Sequence, residues 1–329
     1  MSNFNKNNSQ LNFPNFPPLS SRRQFFKFAA LASASAAFSV DLPGRKTLRA
    51  IAKPTSLLKA ANNSTVRMGV VGLSFYRVVG GVVQNVLESL GHQVEIIEGP
   101  HAEIFPVLGQ GDLDMLVAVW LPTGHGALFA EYGTQATTLE PLYDDARFFW
   151  GVPDYLPEDI QSIADLARPE VAASMNKVIQ GIGSGAGITR LSQEVMSRYN
   201  LEAAGYEFRT GTEQEWVGAF EQGVEAENGV IIPLWQPQYL NQAFEIRRLD
   251  DPLGVFPSPD RCSLVVTQAF SDRIPSNTLE TLNRISLGVD AVTAMDYLTN
   301  VEGLSPREAA TQWMEQNQAV VQSWLTSVS

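Results

Sequence analysis

An α/β fold is predicted for this chain on three observations. Short apolar runs of strand type alternate with helical apolar stripes from residue 66 to the end. The body beyond residue 65, about 264 residues, is long enough for two sheets of modest size. Hydrophobic residues make up 44% and charged residues 18%, enough apolar material to fill a core, which excludes a disordered chain. The alternation implies largely parallel sheets, with functional residues just beyond strand ends.

The elements follow in order. Residues 66–72 form an apolar strand pattern. Val79, Val82, Val83, Val86, Leu87 and Leu90 make a helical stripe over 77–90, ended by Gly91. Residues 92–97 return as a strand, 115–121 are a buried strand run, and 148–152 are a short strand before Pro153. A strand at 177–182 passes through a glycine-rich turn, 183–187, into a helix from Ile188 to about Tyr199. Thr212 and Glu215 read as a capping box, opening a helix with Trp216, Phe220 and Val224 on one face. Strands follow at 230–235 and 263–267. Ser305, Pro306 and Glu308 open the closing helix: a capping hydroxyl, a proline at the first position, an acid three residues on. There is no internal repeat.

Charge divides the chain. Residues 1–65 carry nine Lys/Arg and one acid, Asp41. Of the chain's 23 basic and 35 acidic residues, 14 and 34 are left for the body, a balance of −20. So acidic a body repels nucleic acid, whose affinity rests on Lys/Arg at phosphates. It mildly favours cationic ligands, or serves solubility alone. The single cysteine, Cys262, excludes a disulfide framework and cysteine-based metal sites. The three histidines, His92, His101 and His125, lie too far apart for a local metal motif, so no metal and no cofactor are expected.

Residues 1–40 read as a disordered Asn/Pro-rich extension leading into a twin-arginine-type signal. Arg22 and Arg23 precede Phe25, Phe26 and Lys27, and an apolar run over 28–40 is too short to span a bilayer. Residues 41–65 read as a basic, polar linker. The expected location is periplasmic or otherwise extracytoplasmic.

Three features could carry chemistry. Trp120 ends one strand and Trp235 another, and each is followed two residues later by proline. Either ring could be core; two exits of matching form point to a shared cleft. Between them, residues 181–188 (GIGSGAGI) form a glycine-rich turn opening a helix. Gly183, Ser184 and Gly185 could cradle a carboxylate or phosphate on free N–H groups, or simply make a tight turn. Phe75 and Tyr76 follow the first strand, where they could face the same cleft or pack. The loop also fits a loose dinucleotide fingerprint, Gly181, Gly183 and Ala186, but Ser184 lacks the glycines of a nucleophile elbow. No catalytic triad is present.

Residues 114–125 (DMLVAVWLPTGH), 181–188 and 231–239 (IIPLWQPQY), with 249–256 (LDDPLGVF) and 305–314 after them, resemble the glycine betaine/proline betaine substrate-binding proteins of ABC-type osmoprotectant importers. The resemblance covers nearly all of residues 66–325. It implies a non-enzymatic, two-lobed protein of the type II periplasmic-binding-protein-like fold, with its ligand in the cleft between lobes. The lobes are expected at 66–155 plus 247–329 and at 156–246. The ligand's quaternary ammonium would lie against Trp120 and Trp235, with Phe75 and Tyr76 where relatives often carry an aromatic. Its carboxylate would meet backbone N–H groups of Gly183, Ser184 and Gly185 and the polar side chains His125, Gln238 and Tyr239. Gln238 stands where many relatives have histidine, and Ile182 where some have a third tryptophan. The expected partners are glycine betaine, choline, carnitine or a similar compound, and an ABC permease; the protein is expected to be a monomer. The alternative is an exported NAD(P)-dependent oxidoreductase using residues 181–186. A binding protein of this fold for an unrelated solute is a third reading.

Overall fold

A computed structural model describes residues 65–326. The expected leader and nearly all of the linker lie outside the described residues. The chain begins β1 (Thr65–Val71), α1 (Ser74–Ser89), β2 (Gln93–Gly99), α2 (His101–Gly109), β3 (Met115–Leu121) and α3 (Gly126–Tyr132). It continues with β4 (Ala136–Pro153), α4 (Pro169–Ser174), β5 (Val178–Gln180), α5 (Gly187–Arg198), β6 (Glu207–Arg209), α6 (Glu213–Glu225) and β7 (Ile232–Gln236). Then come α7 (Leu240–Ala243), β8 (Ile246–Arg248), β9 (Asp260–Thr267) and five helices: α8 (Gln268–Arg273), α9 (Ser276–Arg284), α10 (Val289–Asn300), α11 (Pro306–Gln316) and α12 (Gln318–Leu325).

The main sheet runs β2-β1-β3-β9-β4-β7, with β8 also on β4; β5 and β6 pair separately and in parallel. It is mixed rather than largely parallel, which corrects the expectation. β1 is parallel to β2 and β3, but β9 is antiparallel to β3 and β4, and β4 is antiparallel to β7 and β8. The cause is connectivity. β9 returns from the far end of the molecule, so it enters the sheet opposite in direction to the strands that left it.

The expected short strand at 148–152 is only the end of the 18-residue β4. The first part of β4 pairs with β9 as far as Ala146, and from Arg147 it pairs with β7. Pro141 and the exposed acids Asp144 and Asp145 break its apolar pattern, so it does not read as one strand. Ladder irregularities between β4 and β9 absorb them, with Asp145 at φ 72°. Those two acids therefore lie within a strand.

α1 starts three residues earlier than predicted because Phe75 and Tyr76 extend its buried stripe to Val79, Val82, Val83, Val86 and Leu87. Burying each of those side chains contributes about 1.5–3 kcal/mol relative to exposure. Both predicted capping boxes form: Thr212 Oγ1 accepts the Glu215 N–H at 3.2 Å, and Ser305 Oγ accepts the Glu308 N–H at 3.2 Å. One large buried cluster holds both Trp120 and Trp235. A smaller one lies around Trp150, Ile163, Ile179 and Val195, where Trp150 Nε1 donates to Ser192 Oγ at 2.8 Å. Trp150 is thus packing in that second cluster. Trp313 and Trp324 stack on each other within the main one.

Candidate functional site

Trp120 owes its direction to a bulge in β3. From Leu116 to Val119 the strand spends three residues against two on β9, Val265 to Ser263. The buried Ala118 takes φ 58° there. One extra residue reverses the face of every later side chain in a strand. Trp120 is then held at both ends: its Nε1 donates to Tyr143 Oη at 2.9 Å, and its backbone N–H donates to His125 Nδ1 at 2.9 Å. The turn between them, which contains a cis bond before Pro122, is fastened by Asp260. Its carboxylate accepts the N–H groups of Thr123 and Gly124 at 2.9 and 2.6 Å.

His125 returns the bond to Trp120, its N–H donating to the Trp120 carbonyl at 2.9 Å. Because Nδ1 accepts, the neutral ring carries its proton on Nε2, which lies 3.3 Å from Tyr76 Oη and donates to it. His101, at the start of α2, has its ring 5.1 Å from that of His125. Burial pushes His101 down to about 4. Burial, with His101 beside it, pushes His125 well below the usual histidine range. Both rings are neutral at pH 7. Burial likewise raises the Tyr76 phenol well above its ordinary value, so it keeps its proton.

Trp235 stands one residue before the end of β7, opposite Phe148 of β4, and precedes the second cis bond, between Gln236 and Pro237. One face of its ring is covered by Trp216, stacked at 4.5 Å and 18°. Trp216 is anchored in turn by its Nε1, which donates to the Pro233 carbonyl at 3.0 Å. Trp235 Nε1 is buried without a hydrogen-bond partner among the described residues. Phe75, in the first turn of α1, stands 5.7 Å from Trp120 and 5.7 Å from Trp235.

Phe75, Tyr76, Trp120, His125 and Trp235 line one cavity. Leu73, His101, Phe148 and the 182–188 loop residues Ile182, Ala186, Gly187 and Ile188 complete its wall. It encloses about 10 Å³, roughly what one water needs. Among the described residues, no carboxylate lines it. Gly187 and Ile188 are the first residues of α5, whose end bears unpaired N–H groups and partial positive charge. The cavity thus offers indole and phenyl faces to a cation and hydrogen-bond donors to an anion.

The other five expected residues lie off this wall. Gly183 and Ser184 are exposed. Gly185 packs on α2, where an added Cβ would meet the Ala102 N at 3.0 Å. Gln238 and Tyr239 are buried behind Trp235. Gln238 Oε1 accepts the Leu240 N–H at 2.6 Å, and the Tyr239 N–H donates to Asp296 Oδ2 at 2.8 Å. They shape the chain leaving β7. His101, Phe148 and Leu73 were missed. His101 had a legible signal, since only Pro100 separates it from the end of β2.

The profile of one protein family, described as the substrate binding domain of ABC-type glycine betaine transport system, matches residues 64–316. The glycine betaine/carnitine transport binding protein GbuC of Listeria monocytogenes serotype 1/2a (strain 10403S) is 22% identical over 162 residues, 49% of this chain and 53% of GbuC. The chain thus spans about half the length of that curated relative. Among solved structures, lactococcal OpuAC in its closed form with glycine betaine superposes with a TM-score of 0.72 at 22% identity, over 80% of this chain and 100% of that one. The glycine betaine/L-proline-binding protein ProX of Borrelia burgdorferi gives 0.72 at 20% identity, over 80% and 97%. An ABC-transporter choline binding protein with choline gives 0.70 at 20% identity, over 79% and 91%. These likenesses show the two-lobed binding-protein fold. They give the oxidoreductase alternative no support.

Proposed function

The chain belongs to the family of substrate binding domains of ABC-type glycine betaine transport systems, and from that premise we propose that it captures a quaternary ammonium solute in the Trp120–Trp235 cavity and delivers it to an ABC permease. Glycine betaine is the leading ligand, with choline and carnitine as close alternatives. One observation carries the reading: two tryptophans, placed by separate strands far apart in sequence, line the same cavity.

The chemistry supports it. A tetraalkylammonium has no N–H to donate, so an electron-rich indole face is its natural partner. Neutral His101 and His125 add no competing positive charge to that wall. A ligand carboxylate would meet the start of α5, the Tyr76 phenol and the unpaired Trp235 N–H. Each cation–π contact contributes about 0.5–2 kcal/mol, whereas micromolar binding needs about 8 kcal/mol. The donors and the closing of the lobes supply the difference.

In this reading the chain crosses between lobes twice, within β4 near Arg147, where pairing passes from β9 to β7, and between β8 and β9. These crossings lie close to the expected boundaries at 155 and 247. The protein acts outside the cytoplasm, and Arg22 and Arg23 mark the proposed twin-arginine route. No described helix is long and apolar enough to cross a membrane.

Calorimetric titration with glycine betaine, choline and carnitine tests the proposal. Heat of binding is expected from at least one of them, and Trp120→Ala and Trp235→Ala each weaken it at least about tenfold while the protein stays folded. Silence from all three ligands with folded protein, or unchanged affinity in both variants, overturns it.

A further inference from the structure

The helix that carries Phe75 and Tyr76 into the cavity begins without a cap of its own. Leu73 occupies the N-cap position of α1, makes no side-chain capping bond, and no acidic residue lies in the first turn. The free N–H of Ser74 is satisfied from elsewhere in the fold. Glu213, the first residue of α6, accepts the Ser74 N–H at 3.0 Å and the Ser74 hydroxyl at 3.0 Å through Oε1. Its other oxygen lies 3.7 Å from Arg77 on the next turn of α1. The Glu213 side chain is 19% exposed, so these bonds are largely shielded from water.

In the two-lobe reading, α1 and α6 belong to opposite lobes. A helix N-terminus carries free donors and partial positive charge, and a carboxylate placed there satisfies both. Asp296 of α10, on the same lobe as α1, also bonds the Ser74 side chain, but the Ser74 N–H is taken by Glu213, and α1 has that second carboxylate only while the lobes are together. The bridge does not stand alone. Arg190 of α5 donates to the Thr123 carbonyl at 3.1 Å, and an added Cβ on Gly187 would meet the backbone of Gly124 at 2.8 Å. Those contacts join the same two bodies on the other side of the cavity.

We propose that Glu213 is a positioning residue for ligand retention: it caps α1 across the cleft in the closed form and so holds Phe75 and Tyr76 against the bound ligand. This rests on the binding reading above. It separates from that reading by kinetics, because a ligand enters the open form, which lacks the cap, and leaves the closed form, which has it.

The test combines stopped-flow binding of glycine betaine with single-molecule FRET between dyes at Ile96→Cys and Glu202→Cys, both exposed, with the native Cys262 buried. Glu213→Ala is expected to raise the dissociation rate about tenfold or more, as for bonds to a charged group, with the association rate unchanged to within about twofold. Glu213→Gln, which keeps an acceptor but loses the charge, falls between. The closed FRET population drops in the same order, while the melting temperature of the ligand-free protein stays level. An unchanged dissociation rate and closed population overturn the proposal. So does a ligand-free protein destabilised as much as the loaded one, which would make Glu213 merely structural. If glycine betaine does not bind the parent protein, the binding reading fails by itself. The ligand-free closed population then decides for Glu213: a fall in Glu213→Ala supports the cap, and no change rejects it.

Discussion

His101 shows how burial alone can set a charge state. Its ordinary value of 6.5 falls to about 4 because the ring is cut off from water. Between those values the unfolded chain takes up a proton that the folded chain refuses, so His101 lowers stability as pH falls from 6.5 towards 4. Above 6.5 the ring is neutral in both states and its contribution vanishes. Urea unfolding at pH 4.5 and 7.5 should therefore find His101→Gln gaining about 2 kcal/mol on the parent protein at the lower pH relative to the higher. An equal difference at both pH values would show that the ring titrates normally. The position of His101 just beyond β2 was readable from sequence, but its contacts were not, because Tyr76 and His125 reach it from two other elements, α1 and the start of α3. The two tryptophans were readable, since strand exit and the following proline are local signals. That Trp216 backs Trp235 was not, because a stack between a helix and a strand leaves no periodicity.

Among elements, the termini of α6 and α11 were legible because a capping box is written within four residues. β3 was legible end to end as an unbroken apolar run. Its bulge was not, because Ala118 is an ordinary residue and only the register against β9 places it at positive φ. β4 was recognised in part, its first half masked by Pro141 and the exposed acids. α2 was missed, with Pro100 before it and Pro106 inside it. The turn after Trp120 depends on Asp260, which lies far off in sequence and is buried. Asp260→Ala leaves the N–H groups of Thr123 and Gly124 without acceptors, at an expected cost of about 1.5–3 kcal/mol or more. Chemical denaturation measures this directly. A loss below about 0.5 kcal/mol would mean that the turn holds itself.

At the scale of the molecule, the class of fold followed from alternation and size, while strand direction did not. A sequence read locally cannot show that β9 comes home antiparallel, since direction is decided by where the chain has been in between. The acidic body, −20 by sequence, surrounds a cavity with no carboxylate among the described residues of its wall. Long-range charge gathers cations only weakly in physiological salt, so the proposed recognition falls to the aromatic faces at contact range. The cavity of about 10 Å³ has room for about one water, so the proposed binding requires its wall to part.

Crystals grown with the trimethylarsonium analogue of betaine test the central claim most directly, because arsenic scatters anomalously at the position of the cation. The account predicts one strong peak within about 6 Å of the ring centroids of both Trp120 and Trp235. A peak bound elsewhere on the protein, with both indoles untouched, would contradict it.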